Sequence, residues 1–205
     1  MKILCDKLVV VDDFSTDGTD SICLEATKHV FRWAKYTFEE NESYLREFLF
    51  KECAKLCNEN DWIVILDADE ILLNPNLLRN TLENLETSVK NLGLRLYDMW
   101  NDTQYREDQY WNAHKRYWNM CYRYTKTINY TWNRSKLHCG RLPNEIYNFN
   151  HAICNYVYIK HMGWSTEKDR KNKYYRYIRL DPKGEYGILE QYESILDKNP
   201  NLIDI

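Results

Sequence analysis

Trp62-Ile63-Val64-Ile65-Leu66-Asp67-Ala68-Asp69-Glu70 sets an unbroken apolar run directly before a knot of carboxylates. A continuous apolar run of this length reads as a strand covered on both faces, as in an α/β sheet. Its carboxylates then emerge at the strand's carboxyl end, where open α/β sheets bind ligands. Carboxylates this close repel one another unless a cation lies between them. Oxygen donors of this kind suit a hard divalent ion such as Mg²⁺ or Mn²⁺.

A second acidic strand end lies upstream. Leu8-Val9-Val10-Val11 runs into Asp12-Asp13-Phe14-Ser15-Thr16-Asp17-Gly18-Thr19. The apolar part is β-branched, and the polar part carries turn and helix-cap chemistry. Either segment alone is compatible with a solvated turn. Parallel strands ending in both would place their carboxylates in one crevice, joined by right-handed crossovers.

The two segments together resemble the family 2 glycosyltransferases of the GT-A fold. In that family a strand ending Asp-Asp-x-Ser-x-Asp-x-Thr begins the nucleotide-sugar site, here Asp12 to Thr19, and a later strand ends in Asp-x-Asp, here Asp67-Ala68-Asp69. The likeness covers about residues 6–73, with a weaker extension through His138 and Ile159-Lys160-His161-Met162-Gly163-Trp164. It implies a metal-dependent transferase that moves a sugar from a nucleotide-diphosphate sugar, a UDP-sugar above all, to a glycan, lipid or protein acceptor, with inversion. It implies an α/β fold with a mainly parallel central sheet flanked by helices and a C-terminal helical segment.

The same resemblance implies residue roles. Asp69 is the first metal ligand for Mn²⁺ or Mg²⁺, and Asp67 touches the ribose or assists the metal. Asp12, Asp13 and Ser15 hold the uracil or ribose side of the nucleotide. Arg46 lies near the nucleotide, and His161 completes the metal or diphosphate site, with His138 a weaker candidate. An inverting transfer needs a base, and a carboxylate is the usual type. Asp108 and Glu107 stand in the expected order along the chain, with Asp102 and Glu145 as competitors. Family members usually begin with a further strand and helix, whereas only Met1 to Lys7 precede the Asp-Asp strand here.

Composition sets the outer bounds. The 205 residues suffice for one domain with a sizeable core. They divide into a nucleotide-sugar part over 1–95, an acceptor side over 96–165 and C-terminal helices over 166–205. A net charge of −3 argues against a nucleic-acid binder that relies on phosphate neutralisation. No stretch approaches the roughly 20 apolar residues of a spanning helix. The start is too short and too soon charged for a signal peptide. Seven Cys without Cys-x-x-Cys spacing read as reduced thiols, so a cytoplasmic protein is expected. The run 167–179 reads as a solvated helix face, or as peripheral contact with an anionic membrane. Tyr and Trp are abundant between Tyr97 and Trp132, and their flat faces and polar tips suit sugar rings.

Periodicity places helices over 16–32, 42–58, from Asn74-Pro75, from Thr166, and over 187–198, with strands near 33–38, 94–97, 120–124, 132–139 and 156–161. Two other functions compete with sugar transfer. One is metal-dependent phosphoryl or nucleotidyl transfer, which lacks its Gly-rich loop here. The other is a non-catalytic module that binds a nucleotide or sugar.

Overall fold

The computed structural model describes residues 3–135 and 138–205. The chain runs β1 (Val9–Asp12), α1 (Thr19–Ala26), β2 (His29–Arg32), α2 (Phe38–Ala54), β3 (Trp62–Val64), β4 (Glu70–Leu72), α3 (Pro75–Asn84) and β5 (Asn91–Asp98). It continues β6 (Gln104–Arg106), β7 (Trp118–Arg123), β8 (His151–His161), α4 (Glu167–Leu180), α5 (Leu189–Ser194) and β9 (Leu202–Asp204). The longest sheet has the strand order β3-β7-β5-β8-β4. Two compact units divide the chain: Met1–Val64, Pro75–Asn91 and Cys121–His151 form one, and Ile65–Asn74, Leu92–Met120 and Ala152–Ile205 form the other.

In the first unit β1 and β2 pair in parallel, from Val9↔His29 to Asp12↔Arg32. The β-branched run of β1 and the Val-Phe of β2 suit a pleated surface. Phe48 of α2 packs edge-on against Phe31 and Trp33, with ring centroids 5.4 and 5.5 Å apart. Phe50, two residues along, meets Tyr130 at 4.8 Å and Trp132 at 4.9 Å. β3 pairs antiparallel with β7, setting Trp62 opposite Arg123. Arg123 is buried and donates to the carbonyls of Leu85, Val89 and Asn60. Its guanidinium lies 4.4 Å from the centroid of the Trp62 ring. One planar cation therefore ties the end of α3, the turn before β3 and β3 itself.

In the second unit β4 pairs antiparallel with β8, setting Glu70 opposite His161. β6 pairs antiparallel with β9. The core gathers Trp100, Trp111, Trp164, Tyr192 and Ile195, with Trp111 making edge contacts to Trp100 at 4.8 Å and to Trp164 at 4.9 Å. Edge-on geometry matches the ring quadrupoles better than face-to-face stacking. Many of the aromatics that suggested a sugar platform thus build this core.

The strand pairing is mixed rather than mainly parallel, and it is divided among three sheets, β1-β2, β3-β7-β5-β8-β4 and β6-β9. β1–β2 is parallel, but β3–β7, β4–β8 and β6–β9 are antiparallel. An apolar run reports that both faces of a strand are covered, and covered antiparallel strands give the same run. The first helix is shorter than expected and β2 begins at His29, because Val30 and Phe31 carry strand chemistry inside the apparent helical stretch. The described residues within 132–139 form no strand, and Lys136 and Leu137 lie outside the described residues. Beyond the expected C-terminal helices, the chain returns as strand β9.

Arg123→Met should destabilise the protein by about 3 kcal/mol, because it strands carbonyls that a charged donor had satisfied. A lower midpoint of urea unfolding at unchanged slope is the expected result. An unchanged midpoint would show that the guanidinium is dispensable.

Candidate functional site

The first acidic motif sits where β1 gives way to a turn. Asp12 ends the strand and is 3 % exposed. Its Oδ1 accepts from the Ser15 amide at 3.2 Å, and its Oδ2 lies 3.4 Å from Arg32 Nε. Arg32 also donates to the Ser15 carbonyl and pairs with Asp20. Asp13 turns the other way and accepts from the amides of Thr37 and Phe38, at 2.9 and 2.7 Å, at the start of α2. A carboxylate there satisfies donors that the helix leaves unpaired and complements its dipole. Asp12, Asp13 and Ser15 thus form one ordered turn held by β2 and α2. Arg46, on α2, is largely buried and donates to Glu42 Oε1 at 2.8 Å, one turn back. His138 takes a left-handed backbone, with φ 54°.

The second acidic motif lies in the second unit. After β3 the Ile65 amide still bonds to the Met120 carbonyl. The chain then turns: the Glu70 amide donates to the Asp67 carbonyl, and Glu70 Oε2 accepts from the Asp67 amide at 2.9 Å. Glu70 opens β4, so it belongs to the next strand rather than to the end of the first.

Asp69 is held by β8. The Met162 amide donates to the Asp69 carbonyl at 2.7 Å. Asp69 Oδ2 lies 3.3 Å from His161 Nε2 and 3.1 Å from Lys173 Nζ, and Lys173 Nζ lies 3.5 Å from His161 Nε2. On its far side His161 Nδ1 meets Asp98 Oδ1 at 2.7 Å, where β5 ends. Asp98, His161, Asp69 and Lys173 therefore form a chain of alternating charge. Lys173 also lies 4.4 Å from the centroid of the Trp164 ring, a cation–π contact. Gly163 makes the cluster possible, because a Cβ there would overlap Lys173 Nζ, Asp69 Oδ2 and His161 Nε2.

The titration behaviour follows from this packing. Burial works to lower the His161 pKa, but its hydrogen bonds to Asp69 and Asp98, and the charge of Asp98, outweigh it and raise the value to about 9. Burial works to raise Asp69, yet the His161 hydrogen bond and charge, with the Lys173 ammonium, hold it well below the usual carboxylate range.

Asp108 and Glu107, the expected bases, are engaged in holding their own loop. Asp108 accepts from the amides of Tyr110 and Trp111 at 2.8 and 3.0 Å and pairs with Arg106 Nε at 2.7 Å. Glu107 bonds to His114 Nε2 at 2.9 Å and Lys115 Nζ at 2.7 Å. Burial works to raise Asp108, but the Tyr110 amide, Arg106 and the Trp111 amide lower it on balance. The Lys115 hydrogen bond is the main cause that lowers Glu107. Both shifts make these groups weaker bases, and their contacts tie them to the turn. Glu145 likewise accepts from the Thr131 amide and hydroxyl.

Strands and helices alternate from β1 to β3, and acidic turns follow β1 and β3, which defines an α/β protein with acidic strand ends. The sequence pattern of Glycosyl transferase family 2 matches residues 4–142, well over half of the chain, and the chain belongs to that family. The family brings the GT-A α/β fold with it. No curated protein matches the chain. His161, Gly163 and Lys173 lie beyond the matched residues.

The raised pKa of His161 has a consequence for stability. Its contribution is complete below the ordinary value of 6.5 and is lost as pH rises through about 9. The depressed Asp69 contributes above its ordinary value of 3.8 and is lost only as pH falls through its folded value, so it adds no slope at alkaline pH. The melting temperature should therefore fall between pH 6.5 and about 9, and His161→Gln should flatten that part of the profile. Parallel profiles for the two proteins would remove His161 as the cause.

Proposed function

We propose that the chain transfers a sugar from a nucleotide-diphosphate sugar, a UDP-sugar, to a carbohydrate-type acceptor, with inversion at the anomeric carbon. Membership of Glycosyl transferase family 2 supports the reaction class. The observation that carries the site is the Asp98–His161–Asp69 chain, set at the second acidic motif.

Asp69 and His161 would hold Mn²⁺ or Mg²⁺, with Asp67 assisting the metal or meeting the ribose. A histidine that ligates a metal through one nitrogen usually gives its other nitrogen to a carboxylate, which is the relation of His161 to Asp98. Among the described residues no three His, Cys, Asp or Glu side chains converge as a closed site. When bound, the ion would stabilise charge that gathers on the leaving diphosphate.

The residues of the chain supply position. Asp98 holds the direction of the His161 ring, and the Met162 amide fixes the Asp69 backbone. The turn of Asp12, Asp13 and Ser15 would take the nucleoside side, its Ser15 carbonyl held by Arg32 and its Asp13 carboxylate by the start of α2. Arg46, paired with Glu42, would support this side through α2.

Calorimetry with UDP tests the proposal. UDP should bind in the presence of Mn²⁺, and Asp69→Asn should abolish the metal-dependent part of that binding. Undiminished UDP affinity in the variant would reject Asp69 as a ligand.

Asp98→Asn is expected to weaken Mn²⁺ binding by about 10–100-fold, the usual cost of losing an outer carboxylate. Unaltered Mn²⁺ affinity would mean that His161 is not a ligand.

A further inference from the structure

The end of α2 carries two cysteines one turn apart, in the segment Cys53-Ala54-Lys55-Leu56-Cys57. Cys53 lies in the last turn of the helix, and Cys57 lies beyond its C-cap at Lys55. Both are partly exposed, whereas Cys121, Cys139 and Cys154 are buried. Cys57 Sγ donates to the Cys53 carbonyl at 3.3 Å, and the two thiols hydrogen-bond to each other. Lys7 Nζ donates to the Leu56 carbonyl at 2.7 Å, which brings an ammonium beside Cys57. The hydrogen bond from Cys53, helped by Lys7, lowers the Cys57 pKa against burial and the charge of Asp61. The same hydrogen bond is the main cause that pushes Cys53 up. Burial pushes the thiols of Cys5, Cys23 and Cys139 up as well. The thiolate, the reactive form of the group, is thus favoured at Cys57, with a protonated thiol beside it.

We propose that Cys57 and Cys53 are a redox-responsive thiol pair, which a hydroperoxide oxidises to an intrachain disulfide. The Cys57 thiolate attacks a peroxide oxygen, the O–O bond breaks, and the hydroxide that leaves takes up the proton released by Cys57. The product is a sulfenic acid at Cys57 and one water. The Cys53 sulfur then gives up its proton and attacks the Cys57 sulfur, and the S–O bond breaks to release a second water. Two thiols lose two electrons, and hydrogen peroxide gains them. Oxidation of Cys57 also removes the thiolate that held Cys53 protonated, so the second step follows from the first. On a helix, Cβ atoms at this spacing lie about 5–6 Å apart, and a disulfide needs about 3.5–4.5 Å. The helix exit closes that difference. It is held by the Leu56 amide on the Cys53 carbonyl at 2.9 Å and by the Cys57 amide on the Ala54 carbonyl at 3.2 Å. A bond that has to bend these contacts is readily reduced again, as a responsive disulfide must be.

The test treats the reduced full chain with hydrogen peroxide, blocks the remaining thiols with iodoacetamide, and maps tryptic peptides by mass without reduction. Trypsin cuts after Lys55, between the two cysteines, so the disulfide appears as two peptides joined through Cys53 and Cys57. That link is expected before Cys5 or Cys23 is oxidised, and dithiothreitol should remove it. In Cys53→Ser, whose hydroxyl still donates to Cys57, oxidation should stop at a Cys57 sulfenic acid that dimedone captures. In Cys57→Ser, Cys53 should remain a thiol at the same dose. A wild-type chain without the Cys53–Cys57 link overturns the proposal, as does a link from Cys57 to Cys5 in its place. Dimedone capture at Cys53 rather than Cys57 would overturn the order of the two steps. The wild-type map decides the pairing even where a variant does not fold.

Discussion

The pairing of Asp69 with His161 organises the second unit. A carboxylate and an imidazole 3.3 Å apart need their backbones fixed to a fraction of an ångström, and several strand ends do this. β4 and β8 are zipped antiparallel up to Glu70↔His161. The Met99 amide bonds to the His161 carbonyl as β5 leaves the sheet, and the Met162 amide bonds to the Asp69 carbonyl. Asp98, the last residue of β5, then reaches the far side of the imidazole. The sheet register is what makes the charge alternation possible, since a slip of one residue would turn every side chain to the other face.

The tryptophan core serves the same end. Trp164 follows His161 by a single tight turn, packs edge-on against Trp111, and presents its other surroundings to Lys173 and Tyr177. Arg170 closes the joint between that turn and α4. Burying large rings on both sides of the 162–164 turn removes the freedom that a polar loop would keep. That rigidity keeps the side chains around the turn in one geometry.

Much of the site was visible in the sequence, and the gaps have physical causes. The Asp67–Asp69 and Asp12–Asp13 motifs stand out because carboxylates directly after apolar runs are costly without a partner. His161 stood out because it closes a strand. Asp98 did not, because a single carboxylate at the end of Leu-Arg-Leu-Tyr-Asp looks like any strand terminus. Lys173 was hidden among the charges of 167–179, where a solvated face is the default and only the fold tells which lysine turns inward. The antiparallel pairings were hidden for a different reason. Sequence pattern reports burial of a strand's faces, whereas direction is set by which strand lies beside it. Asp13 carried a signal that could have been read: a carboxylate two dozen residues ahead of a helix start can cap it, but nothing local says which helix.

The carboxylates of the second unit also show how a fixed group differs from an exchangeable one. Asp181 is 1 % exposed and accepts from the amides of Glu185, Tyr186 and Gly187 and from the Tyr192 hydroxyl. Asp108 is held by backbone amides and a buried guanidinium. Neither can change partners unless its loop unfolds, because an amide cannot leave without the chain. Asp69 differs: its side chain is 40 % exposed, and Oδ2 meets an imidazole and an ammonium, both on side chains. Low basicity alone would have grouped all these acids together. The mobility of the partner separates a carboxylate whose contacts are side chains from those whose contacts are the backbone of the fold.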